Sequence, residues 1–125
     1  MIYTFTSFLR NNYEYGVDFD FTETPYTYES LRWLKGTKPT LEEINSSIEA
    51  LNTQEPYRQL RILRDKKLRE CDWVTLKAYS QGTPVPLEWA EYQQALRDIT
   101  LQSPQLDSNG DLIIDSIVWP IRPND

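Results

Sequence analysis

Ten of the sixteen aromatic residues in this 125-residue chain fall between Tyr3 and Trp33, all four phenylalanines among them. Aromatic side chains bury large areas, so a chain loaded this way must build much of its core from rings. An apolar fraction of only 39% and a mean hydropathy of -0.61 make that dependence stronger. Tyr13, Tyr15, Val17, Phe19 and Phe21 alternate with Glu14, Gly16, Asp18, Asp20 and Thr22, the period-two pattern of a half-buried strand. Ile2 to Phe8 is expected as its partner strand, with Arg10-Asn11-Asn12 as the turn. Gly16 suggests a bulge, and a third extended piece is expected from Tyr26 to Leu34. Most of these rings should pair within the sheet. The edges of so small a sheet are open to a partner's strand, which makes Tyr13, Tyr15, Phe19 and Phe21 candidate partner contacts.

Helical signals follow. Thr40 with Glu43 matches a capping box, and Leu41, Ile44, Ile48 and Leu51 form one apolar stripe. Asn52-Thr53 is expected to break this helix, and a second begins near Pro56 and runs to about Cys71. Asp72-Trp73 is expected to end it, with Val74 to Pro86 as a loop punctuated by Gly82, Pro84 and Pro86. Trp89, Tyr92, Leu96 and Ile99 mark a third amphipathic helix from about Leu87. Asn109-Gly110 predicts a hairpin turn, with Leu112 to Trp119 as a strand and Trp119 to Pro123 as an extended tail. The expected fold class is therefore α+β: an N-terminal aromatic antiparallel β-region over residues 1–37, then a helical domain over 38–125 with three amphipathic helices and a C-terminal β-hairpin.

Composition excludes several chemistries. Histidine is absent, which removes the commonest general base near neutral pH and the commonest metal ligand. A single cysteine, Cys71, rules out an intrachain disulfide and a multi-cysteine zinc site. Asp107 to Asp111 resembles a calcium loop, but Gly110 falls fourth where an EF-hand needs glycine sixth, so a plain turn is expected. Asp18, Asp20 and Glu23 could suggest a catalytic carboxylate pair, but Asp18 and Asp20 share one strand face and alternate with the aromatics, as a solvated face does. No catalytic residue, metal or cofactor is expected, and the chain reads as non-enzymatic. The net charge of -6 argues against phosphate binding as the main role. Arg58, Arg61, Arg64, Lys66, Lys67 and Arg69 form one basic patch. It supports the alternative of a small regulatory or nucleic-acid-associated protein, although such runs are usually solvent faces. Met1 to Asn12 lacks the form of a signal peptide, and no apolar run approaches the roughly 20 residues of a membrane span. A reducing compartment, the cytoplasm, fits best.

Several fragments together resemble the phage tail assembly chaperone family. They are Lys38-Pro39-Thr40, Arg64-Asp65 with Leu68 and Asp72-Trp73, Trp89-Ala90-Glu91-Tyr92 with Ala95-Leu96-Arg97-Asp98, and Trp119-Pro120 with Pro123. Gln93 stands where the family usually has arginine, and the first third lies outside the resemblance. The resemblance implies a non-enzymatic accessory protein that binds a tail-fibre or other tail subunit in the host cytoplasm and either leaves or stays in the virion tail. A homo-oligomer is compatible with it; a membrane is not implied. Asp72, Trp73, Trp89, Tyr92, Arg97 and Asp98 would then form a structural clasp. In it the two tryptophans pack together, Asp72 caps the corner, and Arg97 and Asp98 bridge helices.

Overall fold

The computed structural model describes residues 3–124 as a mixed α+β arrangement in which helices dominate. The chain divides into two compact units, Met1–Glu55 and Pro56–Asp125.

The N-terminal unit opens with α1, Phe5–Asn12, where a strand was expected. Ile2 of that expected strand lies outside the described residues. From Phe5 onward it is helical because Thr4 and Ser7 cap the start reciprocally: the Ser7 amide donates to Thr4 Oγ1 at 3.3 Å and the Thr4 amide to Ser7 Oγ at 2.8 Å. That satisfies two donors orphaned at the helix start. Phe5, Phe8 and Leu9 then share one helical face and enter the core. The residues expected as a turn, Arg10 to Asn12, are the last of α1.

The alternating stretch from Tyr13 supplies a strand only at β1, Phe19–Phe21, which pairs antiparallel with β2, Leu31–Trp33. Before it the chain turns, and the Gly16 amide bonds back to the Phe19 carbonyl at 2.7 Å. The register sets Phe19 opposite Trp33 and Phe21 opposite Leu31, with Asp20 opposite Arg32 on the outer face. Phe19, Leu31, Phe8, Leu9 and Ile44 form the buried centre of this unit. The Arg32 guanidinium grips Asp20 through two nitrogens and holds its carboxyl below the usual carboxylate range.

Helix α2 is one continuous element, Leu41–Glu70, with Pro56 inside it. The expected capping box is present: Glu43 donates its amide to Thr40 Oγ1 and accepts from the Thr40 amide, both at 3.1 Å. The expected break at Asn52-Thr53 does not occur. Asn52 turns its side chain to a distant backbone instead, accepting from the Tyr3 amide at 2.6 Å and donating to the Tyr3 carbonyl at 3.0 Å. The boundary between the two units nevertheless falls at Pro56, the one position in α2 that cannot donate a ladder hydrogen bond.

After Cys71 the chain forms α3, Asp72–Gln81, correcting the expected loop. Gly82 ends α3 with φ +67°, its amide reaching the Tyr79 carbonyl at 3.2 Å, a left-handed cap that glycine adopts without steric cost. Helix α4, Leu87–Arg97, runs into a 3₁₀ turn at Asp98–Leu101. Three helices were expected; among the described residues four α-helices form. The turn at Asn109-Gly110 exists, but its flanks make only one antiparallel bridge, Leu106 to Leu112, so the expected C-terminal hairpin is corrected to a laced loop. Side-chain amides take the place of a partner strand. Gln59 accepts from the Leu112 amide at 2.7 Å and donates to the Gly110 carbonyl at 2.8 Å. Gln102 does the same for both groups of Val118, at 2.8 and 2.9 Å. Leu60, Ile99 and Ile117 form the small core beneath.

Candidate functional site

The C-terminal unit is organised around Trp89 of α4. With Cys71, Val74, Tyr92 and Leu96 it makes a buried cluster, against which Leu68, Val85 and Trp119 pack. Trp73 of α3 meets the Trp89 ring edge-on at 5.7 Å, and Tyr92 meets it at 6.0 Å. The Arg122 guanidinium lies 5.4 Å from the Trp89 ring centre, and the Lys67 ammonium 5.1 Å from that of Trp119. Both distances suit cation–π attraction, and they fasten the C-terminal tail within this unit. Burial pushes the Tyr92 phenol above its ordinary pKa; the neighbouring Cys71 adds to this and Arg122 opposes it.

Between α3 and α4 lies a slot of about 280 Å³. Its apolar lining comes from Trp73, Val74, Ala78, Pro84, Pro86 and Trp89; its polar lining is Lys77, Gln81 and Thr83. Trp73 is 41% exposed, so the slot has one aromatic side open to solvent.

Residues 57–124, more than half of the chain, match the family model of the phage tail assembly chaperone protein. The chain belongs to this family. The match coincides with the C-terminal unit, so residues before Tyr57, including Lys38-Pro39-Thr40, lie outside it. No curated protein and no solved structure matches the chain.

Trp73, Trp89 and Tyr92 of this tail assembly chaperone are brought together in one aromatic cluster. Asp72 is the first residue of α3, where its charge suits the helix dipole, while Cys71 holds the cap position without a side-chain cap bond. Cys71 Sγ donates instead to the Leu68 carbonyl at 3.2 Å. Arg97 and Asp98 are exposed and form no ion pair among the described residues; Asp98 accepts from Gln94 at 3.1 Å. Besides the Trp73–Trp89 contact, α4 is tied to α3 by Gln93, buried, with Nε2 3.4 Å from Thr75 Oγ1 and, just before α3, 3.8 Å from Cys71 Sγ. Its spacing, four residues after Trp89 and three before Leu96, puts it on the buried face, but a glutamine there gave no sign of its partners.

In the N-terminal unit Tyr13 packs edge-on against Trp33 at 4.8 Å, and Phe21 stacks on Tyr26 at 4.7 Å. Phe19 is 1% exposed and belongs to the core, whereas Tyr15 is 58% exposed. Tyr13, Tyr15 and Tyr26 line an open groove of about 880 Å³ with Arg10, Asn11 and Asp18.

Two of the candidate carboxylates, Asp107 and Asp18, are held by backbone amides. Asp107 Oδ1 accepts from the Asn109 and Asp111 amides at 2.8 and 3.0 Å, which makes the calcium-like stretch an Asx turn. Asp18 accepts from the Glu14 amide at 2.9 Å. Among the described residues no group of three histidines, cysteines or carboxylates is placed to hold a metal, and no helix is long and apolar enough to cross a membrane.

Proposed function

We propose that this tail assembly chaperone holds a tail-fibre or other tail subunit, covering its apolar surface until it assembles, and does so without catalysing a reaction. The family match across the C-terminal unit carries this reading. The exposed rings of Tyr15 and Tyr26 support a second contact in the N-terminal unit; Tyr15 rests edge-on against Phe19, Tyr26 stacks on Phe21, and Tyr13 packs on Trp33. The protein acts in the host cytoplasm during assembly and is a candidate to remain in the virion tail. The nucleic-acid alternative has less support, because Arg64 pairs with Asp65 at 2.9 Å and Lys67 covers Trp119.

Co-expression with each tail and fibre protein of the same phage tests the proposal. Retention of one of them, with higher soluble yield of that protein, is expected. Normal tail assembly in the absence of this chain, with no tail protein retained, overturns it.

A further inference from the structure

The inward residues of α3, Val74 and Ala78, are buried, as a core-facing stripe requires. Three of its exposed residues are large and apolar as well: Trp73, Leu76 at 67% exposure and Tyr79 at 86%, among the polar Asp72, Thr75, Lys77, Ser80 and Gln81. Residues three apart are neighbours on a helix surface, so these three make one ridge. Single exposed apolar residues are ordinary on a protein surface; a continuous ridge is not. A helix apolar on two sides is suited to being covered on both.

The slot described above opens at the Trp73 end of this ridge. Its volume of about 280 Å³ falls just below the roughly 300–1,000 Å³ of small-molecule sites, a size suited to one anchoring side chain. Lys77 is the only charged residue lining it, and that ammonium makes no ion pair among the described residues. A basic occupant would meet it as a like charge. A wholly apolar occupant would desolvate it without compensation.

We propose that the slot docks a segment of a tail protein that seats one large apolar side chain against Trp73 and Trp89 and sets a neighbouring carboxylate on Lys77. Leu76 and Tyr79 then cover the residues that follow the anchor. The inference rests on the client-holding reading and names the chemistry of the client's contact.

The test uses the full chain and the phage's own tail and fibre proteins, each co-expressed singly and then titrated as purified protein. Trp73→Ala weakens binding of the retained protein about thirtyfold, as loss of an aromatic anchor does. Lys77→Glu weakens it about tenfold through charge reversal, and Lys77→Arg restores it. The Lys77 contribution fades with added salt. Lys77 is exposed, so its variants keep the fold even if Trp73→Ala does not; circular dichroism checks each. Equal binding by wild type, Trp73→Ala and Lys77→Glu overturns the slot and leaves the client reading standing. Loss with Trp73→Ala but not with Lys77→Glu overturns the acidic occupant. A wild-type chain that retains no tail protein overturns both.

Discussion

The Trp73 indole meets the Trp89 indole edge-on, ring centres 5.7 Å apart and planes at 74°, yet the two residues differ in environment. Trp89 is 4% exposed and sits in the core of its unit, while Trp73 keeps 41% of its surface in water. The pair joins a structural residue to an accessible one. Trp89→Ala should cost about 3–5 kcal/mol, the usual range for removing a buried aromatic. Trp73→Ala should cost about 1 kcal/mol, the worth of the ring contact. Urea denaturation followed by circular dichroism separates them; equal losses would contradict this division.

That division also shows how far the clasp was legible. The stripe of Trp89, Tyr92, Leu96 and Ile99 announced α4 because helical periodicity and burial agree there. Helix α3 was missed because its apolar residues fall on two faces, which erases the periodic signal, and because Asp72-Trp73 looks like a terminus. α1 was missed for a different reason: a Thr4–Ser7 capping box lacks the usual acidic residue, although Phe5, Phe8 and Leu9 already had helical spacing. The aromatic alternation marks Phe19 for the core, but Tyr15 and Val17 before it are exposed, because the chain turns there and a three-residue strand is all that forms.

The C-terminal segment was misread as a strand because its β-branched apolar residues fit one. What decides its shape is where its backbone hydrogen bonds go, and Gln59 supplies two of them from α2. Gln59→Leu removes the acceptor for the Leu112 amide and a donor to the Gly110 carbonyl. A partly buried amide left without its acceptor costs about 1–3 kcal/mol, so the loss at Leu112 is expected to fall within that range. Amide hydrogen exchange gives the local readout: Leu112 should lose protection while the amides of α1 keep theirs. Unchanged protection at Leu112 would mean that the glutamine is dispensable.

Two ionisable groups contribute at opposite ends of the pH range. Tyr92 has a raised folded pKa, chiefly from burial, so its contribution is complete below the unfolded tyrosine value of about 10 and is lost as pH rises through the folded value. Asp20 has a lowered folded pKa from its Arg32 hydrogen bonds, so its contribution is present above the unfolded value of about 3.9 and is lost as pH falls through the folded one. Tyr92→Phe should therefore flatten the alkaline limb of stability, and Asp20→Asn the acid limb. Denaturation midpoints measured across pH check both. A Tyr92→Phe chain with an unaltered alkaline limb would rule out the first.

Tyr15 and Tyr26 provide the test of the N-terminal contact because they are exposed enough to change without emptying a core. Tyr15→Ser with Tyr26→Ser should leave thermal stability nearly unchanged, since exposed substitutions rarely exceed about 0.5 kcal/mol. The local losses are the stacking of Tyr26 on Phe21 and the edge-on contact of Tyr15 with Phe19. If both units hold the same client, the chain joins two weak contacts, and each raises the effective concentration of the other. The double serine variant should then reduce retention of the tail protein, and combining it with Trp73→Ala should reduce it further than either change alone. Titration of the purified pair at several salt concentrations measures this. Wild-type retention by the double serine variant would remove the N-terminal unit from the binding surface, leaving the clasp to hold the client by itself.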